Sequence, residues 1–102
     1  MKNKFLTAGE HQLLGNIASL IGFKSAQLLI LAWSIKEAMF KWYGNGGVDF
    51  KQHLRINKII NNGNEFLADC TFQKHDPINL KVHGLFFNDK FLAWIAASND
   101  QQ

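Results

Sequence analysis

The run Trp33-Ser34-Ile35-Lys36-Glu37-Ala38-Met39-Phe40-Lys41 sets three charged side chains in an otherwise apolar stretch. On a helix, Trp33, Glu37 and Lys41 are spaced i, i+4, i+8 and form one column. Lys36 projects about 100° away from Glu37. A carboxylate is a hard oxygen ligand, and a lysine ammonium is a compact charge that suits phosphate. The same spacing also fits a helical salt bridge between Glu37 and Lys41, contributing about 0.2–0.5 kcal/mol on a solvated edge. Spacing alone favours this second reading.

The other chemistry-bearing residues are dispersed. His11 falls on the surface of a first helix, and His53, His75 and His83 lie on separate strands and a turn. No pair has zinc-site spacing. Cys70 is the sole cysteine, so no intrachain disulfide forms, and a cytoplasmic compartment is expected. Its place in an apolar alternation marks it as core rather than nucleophile. The net charge of +3 and pI near 9.2 suit an anionic ligand or an acidic protein partner. Nucleic acid is not expected, because Lys and Arg form no stripe and Arg55 is the only arginine. A membrane span is not expected either, since the most apolar stretch, 26–33, is too short. The basic start at Met1-Lys2-Asn3-Lys4 is followed only by Phe5-Leu6 before Thr7, which is not a signal peptide.

The elements that must position these residues divide the chain in two. At 102 residues and 47% hydrophobic content, residues 1–102 are read as a single domain. Thr7 and Glu10 match a capping box, which predicts a short helix from Ala8 into the Leu13-Leu14 region. Gly15 and Asn16 weaken its continuation. Ser25 is the expected N-cap of a second helix that runs to Tyr43 and ends at Gly44-Asn45-Gly46-Gly47. That helix is apolar almost all round, with one stripe of Leu28, Leu31, Ile35, Met39 and Trp42 and another of Ala26, Leu29, Ile30, Trp33 and Phe40. It is therefore expected to be buried on most sides.

Strands are predicted over 50–56, continuing to Ile59-Ile60, then over 65–72, 79–87 and 90–98. Asn62-Gly63 predicts a type I′ hairpin turn between the first two. His75-Asp76-Pro77 and Asn88-Asp89 supply the later turns, and residues 99–102 form a polar tail. The expected fold class is α+β: two N-terminal helices, the second long and buried, on an antiparallel meander of about four strands.

The Trp33 to Lys41 segment resembles the W-x-x-K-E-A-x-x-K motif of 4′-phosphopantetheinyl transferases. Trp33, Lys36, Glu37, Ala38 and Lys41 fit it. Phe5-Leu6-Thr7-Ala8-Gly9-Glu10 looks like the F-[ST]-x-x-E stretch that opens the preceding helix. Gly44, the strand Gln52-His53-Leu54-Arg55-Ile56 and the closing Phe91-Leu92-Ala93-Trp94-Ile95-Ala96 resemble the rest of the family's C-terminal half. The resemblance implies transfer of 4′-phosphopantetheine from coenzyme A to a serine of an acyl or peptidyl carrier protein, with Mg²⁺. It implies that Glu37 is the metal ligand and helps orient or deprotonate the serine. It also implies that Lys36 and Lys41 contact coenzyme A phosphates, and that Trp33 packs the helix against the sheet.

The chain departs from the family in one respect. The upstream G-x-D-x-E motif, which supplies further metal ligands, has no counterpart, and Glu10 is the only acidic residue before Glu37. Three accounts are open: an excised half, a chain that pairs with a partner carrying the motif, or a degenerate copy. A lone half leaves a packing face exposed, which predicts a homodimer or pairing with the missing N-terminal half. A non-catalytic carrier-protein or ligand-binding module is the first alternative. A hot-dog-type thioesterase or dehydratase, with Glu37 beside a wrapped central helix, is the second. That fold expects a strand before the helix, and it gives Lys36 and Lys41 no role.

Overall fold

The computed structural model describes residues 5–21, 25–88 and 90–95. Two helices, α1 (Ala8–Ile21) and α2 (Ser25–Tyr43), precede four strands: β1 (Leu54–Asn62), β2 (Glu65–Phe72), β3 (Ile78–Phe87) and β4 (Lys90–Ile95). The strands form one antiparallel sheet in the order β1-β2-β3-β4. This is the α+β meander expected from the sequence. Alternation sets its inner face: Phe66, Ala68, Cys70 and Phe72 of β2 are all buried, as are Leu80 and Val82 of β3. No helix among the described residues is long and apolar enough to cross a membrane.

Helix α2 packs across this face, against β1, β3 and β4. Leu28, Leu31, Ala32, Ile35 and Met39 form its buried stripe. The expectation of burial on most sides is corrected. Ile30 is 51% exposed, Trp33 43% and Trp42 44%, because a single sheet covers only one side of the helix. The strand that a hot-dog fold expects before its central helix is not present among the described residues.

Three local features also differ from expectation. Helix α1 continues through Gly15 and Asn16 to Ile21. A helical glycine costs about 1 kcal/mol relative to alanine, and here burial of Leu14, with Leu13 and Ile17 against the core, outweighs it. Strand β1 begins at Leu54 rather than at residue 50, because Asp49 folds the chain into a turn. Its Oδ1 accepts from Lys51 N at 2.8 Å and Gln52 N at 3.0 Å, and His53 N donates to Asp49 O at 2.8 Å. Those amide bonds, Gln52 first, hold the Asp49 carboxyl below its usual pKa. The β1–β2 loop is Gly63-Asn64, one residue later than predicted, since Asn62 pairs with Glu65. Gly63 has φ +65° and Asn64 is not in the left-handed region, so positive φ sits at the first loop position only, the type II′ requirement. Strand β4 is described to Ile95. The expected continuation to Ser98, the polar tail at 99–102, Asp89 of the last turn and the Ser25 side chain lie outside the described residues.

Cys70 is fully buried on the inner face of β2. Burial pushes its thiol up to about 12 from 9.0. The folded state then keeps a proton that the unfolded chain releases. The associated stability is present below pH 9 and is lost as pH rises from 9 to 12. Native protein should therefore resist alkylation by iodoacetamide at about pH 8.5, near the pKa of a free thiol. The urea-unfolded chain should react at the free-thiol rate. Equal rates in the two states would contradict this burial.

Candidate functional site

The charged residues of α2 divide by direction. Lys36 faces inward and is 0% exposed. A lysine ammonium has three protons to place, and all three are placed here. Lys36 Nζ donates to Phe5 O at 2.6 Å, to Glu10 Oε1 at 2.8 Å and to Phe50 O at 2.8 Å. Burial lowers the Lys36 pKa, and the bond to Glu10 partly offsets that effect.

Glu10 is buried too, at 3% exposure, and both of its oxygens are used. Oε1 accepts from Thr7 N at 2.9 Å as well as from Lys36, and Oε2 accepts from Ile56 N at 2.7 Å. Glu10 N donates to Thr7 Oγ1 at 3.1 Å, which completes the expected capping box. One carboxylate thus closes the start of α1, neutralises Lys36 and takes an amide of β1. That amide adjoins a β-bulge, where the register shifts between Ile56 and Lys58.

The bond to Lys36 is the part of this arrangement that motif reading missed. The signal was available only in part: a buried lysine needs an acceptor, and Glu10 is the only acidic residue before Glu37, but spacing does not say that Lys36 is the residue that points inward. All three bonds of Lys36 run inward, and none is directed to the surface where a phosphate contact was expected.

Glu37 and Lys41 face the other way. Glu37 is half-buried and Lys41 is exposed. Among the described residues the ion pairs are Lys36–Glu10 and Lys81–Asp69, so the Glu37–Lys41 salt bridge allowed by spacing is not made. Trp33 heads their column. It packs on aromatic neighbours outside the sheet, contrary to expectation: Phe5 edge-on at 5.2 Å and Phe50 stacked at 4.9 Å. At the other end of the column, Lys41 lines a groove between α2 and β4 with Ala38, Trp42, Ala93, Trp94 and Ile95.

The residues present do not fit a self-contained Mg²⁺ site. Among the described residues no three of His, Cys, Asp and Glu come together as metal ligands. Glu37 offers one carboxylate where Mg²⁺ demands octahedral oxygen coordination. Two of the four histidines are engaged elsewhere: His53 Nδ1 accepts from Asp49 N at 2.9 Å, and His83 stacks on Trp94 at 5.9 Å.

The buried pair gives a stability test. Glu10→Leu leaves the Lys36 charge without its counter-charge, and such a change costs about 3–5 kcal/mol. Urea unfolding of the variant should show a loss of that size, and a loss within experimental error would rule out the pairing.

With this geometry in place, comparison with known proteins identifies a family. The sequence model of the 4′-phosphopantetheinyl transferase superfamily matches residues 1–95. No curated protein and no solved structure matches the chain significantly.

Proposed function

Because the chain belongs to the 4′-phosphopantetheinyl transferase superfamily, we propose that it binds coenzyme A and takes part in moving 4′-phosphopantetheine onto a serine of an acyl or peptidyl carrier protein. The observation that carries this reading is that Glu37 and Lys41, one turn apart on the outward side of α2, make no ion pair among the described residues. In the transfer, the serine hydroxyl oxygen bonds to the phosphorus that bears pantetheine. The phosphorus–oxygen bond to the second phosphate breaks, adenosine 3′,5′-bisphosphate leaves, and the serine proton passes to a base. Such reactions depend on positioning and charge neutralisation. Lys41 supplies a fixed positive charge for the diphosphate, and Glu37 accepts the hydrogen bond of the serine.

Mg²⁺ would add charge neutralisation when bound. A single carboxylate supports that role only if further ligands come from phosphate, water or another chain. This favours a working unit larger than one copy. The sheet face away from α2 carries a cross-strand row of Ile60, Leu67, His83 and Trp94. Ile60 and Trp94 are 49% and 47% exposed, and Leu92, nearby on the same face, is 50%. An apolar face of this kind suits a homodimer or a complementary N-terminal half. The mildly basic chain suits an acidic carrier protein in a cytoplasmic setting. The isolated metal ligand also supports the second reading, a binding module that engages coenzyme A or the carrier without catalysis.

Titration calorimetry with coenzyme A, with and without Mg²⁺, tests both. Binding is expected. Lys41→Ala should weaken it by about ten- to a hundredfold, the scale of one charge-assisted hydrogen bond. Glu37→Ala should remove whatever part of the affinity depends on Mg²⁺ and leave the fold intact. Absence of binding in both conditions would sink the coenzyme A reading. Binding without transfer to any carrier serine would select the binding module.

A further inference from the structure

Lys36 sits beside Glu37 in sequence and points about 100° away from it around the helix. Its ammonium holds the carbonyls of Phe5 and Phe50, at 2.6 and 2.8 Å. The rings of those same two residues hold Trp33, at 5.2 and 4.9 Å, and Phe40 packs on Phe50 at 5.5 Å. Trp33 is the first residue of the column that continues to Glu37 and Lys41. The interior bonds of one lysine thus fix the backbone of two aromatic residues, and those residues hold the outward column.

The counter-charge extends this link to the sheet. Glu10 joins Lys36 to the amide of Ile56 on β1, so the rotation of α2 about its axis is tied to the strand it packs on. Helix rotation sets where Glu37 and Lys41 point, because side chains on a helix have fixed angular offsets.

We infer that Lys36 and Glu10 are positioning residues: their buried pair locks the rotation of α2 and the Phe5–Trp33–Phe50 clasp, and so aims Glu37 and Lys41 at the ligand. The inference rests on the reading of Glu37 and Lys41 as the ligand-facing pair. It divides the two lysines of the motif between distinct tasks, with Lys41 touching phosphate and Lys36 acting through its neighbours.

The test compares Lys36→Met with Lys41→Ala in coenzyme A titrations over a range of ionic strength, at a temperature where each variant is folded. Both are made in a protein whose only indole is Trp33, through Trp42→Phe and Trp94→Phe. Contacts between charges weaken with added salt. Lys41→Ala should flatten the salt dependence of affinity and leave Trp33 emission unchanged. Lys36→Met should lower affinity by about ten- to a hundredfold, the scale on which small misplacements act. It should keep the wild-type salt slope and shift the Trp33 emission to longer wavelength. A flattened slope for Lys36→Met would make Lys36 a phosphate contact and overturn the inference. So would a folded variant with unaltered affinity and emission, which would leave the pair a packing feature only.

Should Lys36→Met not fold, amine acetylation of the wild-type chain followed by mass spectrometry decides. Lys36 should be modified only after unfolding, and Lys41 should be modified in the native state and shielded by coenzyme A. Native-state modification of Lys36 that coenzyme A prevents would overturn the inference. If the wild-type chain binds no coenzyme A, the proposed function fails by itself. The emission of Trp33 in Lys36→Met still reports whether the buried pair holds the clasp.

Discussion

An ammonium group survives in a protein interior only when each proton has an acceptor and the charge has a counter-charge. Lys36 meets both conditions by gathering groups that are distant in sequence: the carbonyl of Phe5, the carboxylate of Glu10 and the carbonyl of Phe50. Glu10 adds the amide of Ile56. The segment before α1, the first turn of α1, the middle of α2, the turn before β1 and β1 itself therefore meet around two side chains. No apolar contact in the core imposes so narrow a geometry, because dispersion contacts tolerate sliding and hydrogen bonds to a buried charge do not.

This arrangement gives α2 two unlike sides. The inner side combines a conventional apolar stripe with one fully satisfied ion pair, and the outer side holds a carboxylate and an ammonium that make no ion pair among the described residues. Adjacent residues of a helix point about 100° apart, so a lysine–glutamate dipeptide is the shortest way to place one charge in the core and the next at the surface. The aromatic cluster of Phe5, Trp33, Phe40 and Phe50 lies where these two sides meet. It screens the buried pair from water while leaving part of Trp33 exposed.

The sequence was informative wherever a signal is local. The capping box at Thr7 and Glu10, the limits of α2, the alternation of β2 and the order of the four strands all follow from spacing or turn chemistry. Errors arose where tertiary structure decides. Trp42 fits the apolar stripe of α2 but is half-exposed at its end, since the sheet covers only one side. The turn at Asp49 displaced the start of β1 because its side-chain bonds outweigh the strand preference of Phe50. The offset between Lys36 and Glu37 was readable, but not which of the two points inward. That depends on Glu10, which lies 26 residues away from Lys36 and was already accounted for by its cap.

The position of Glu10 also bears on how the folded chain avoids its own copies. Strand β1 is an edge of the sheet, and an edge strand presents unpaired amides that can template another strand. Here the amide of Ile56 is taken by a carboxylate, the bulge at Asn57 breaks the register beside it, and α1 lies against the strand. Arg55 and Lys58 add exposed charge on the same stretch. The carboxylate that neutralises the core lysine therefore also guards this border of the sheet against edge-to-edge aggregation.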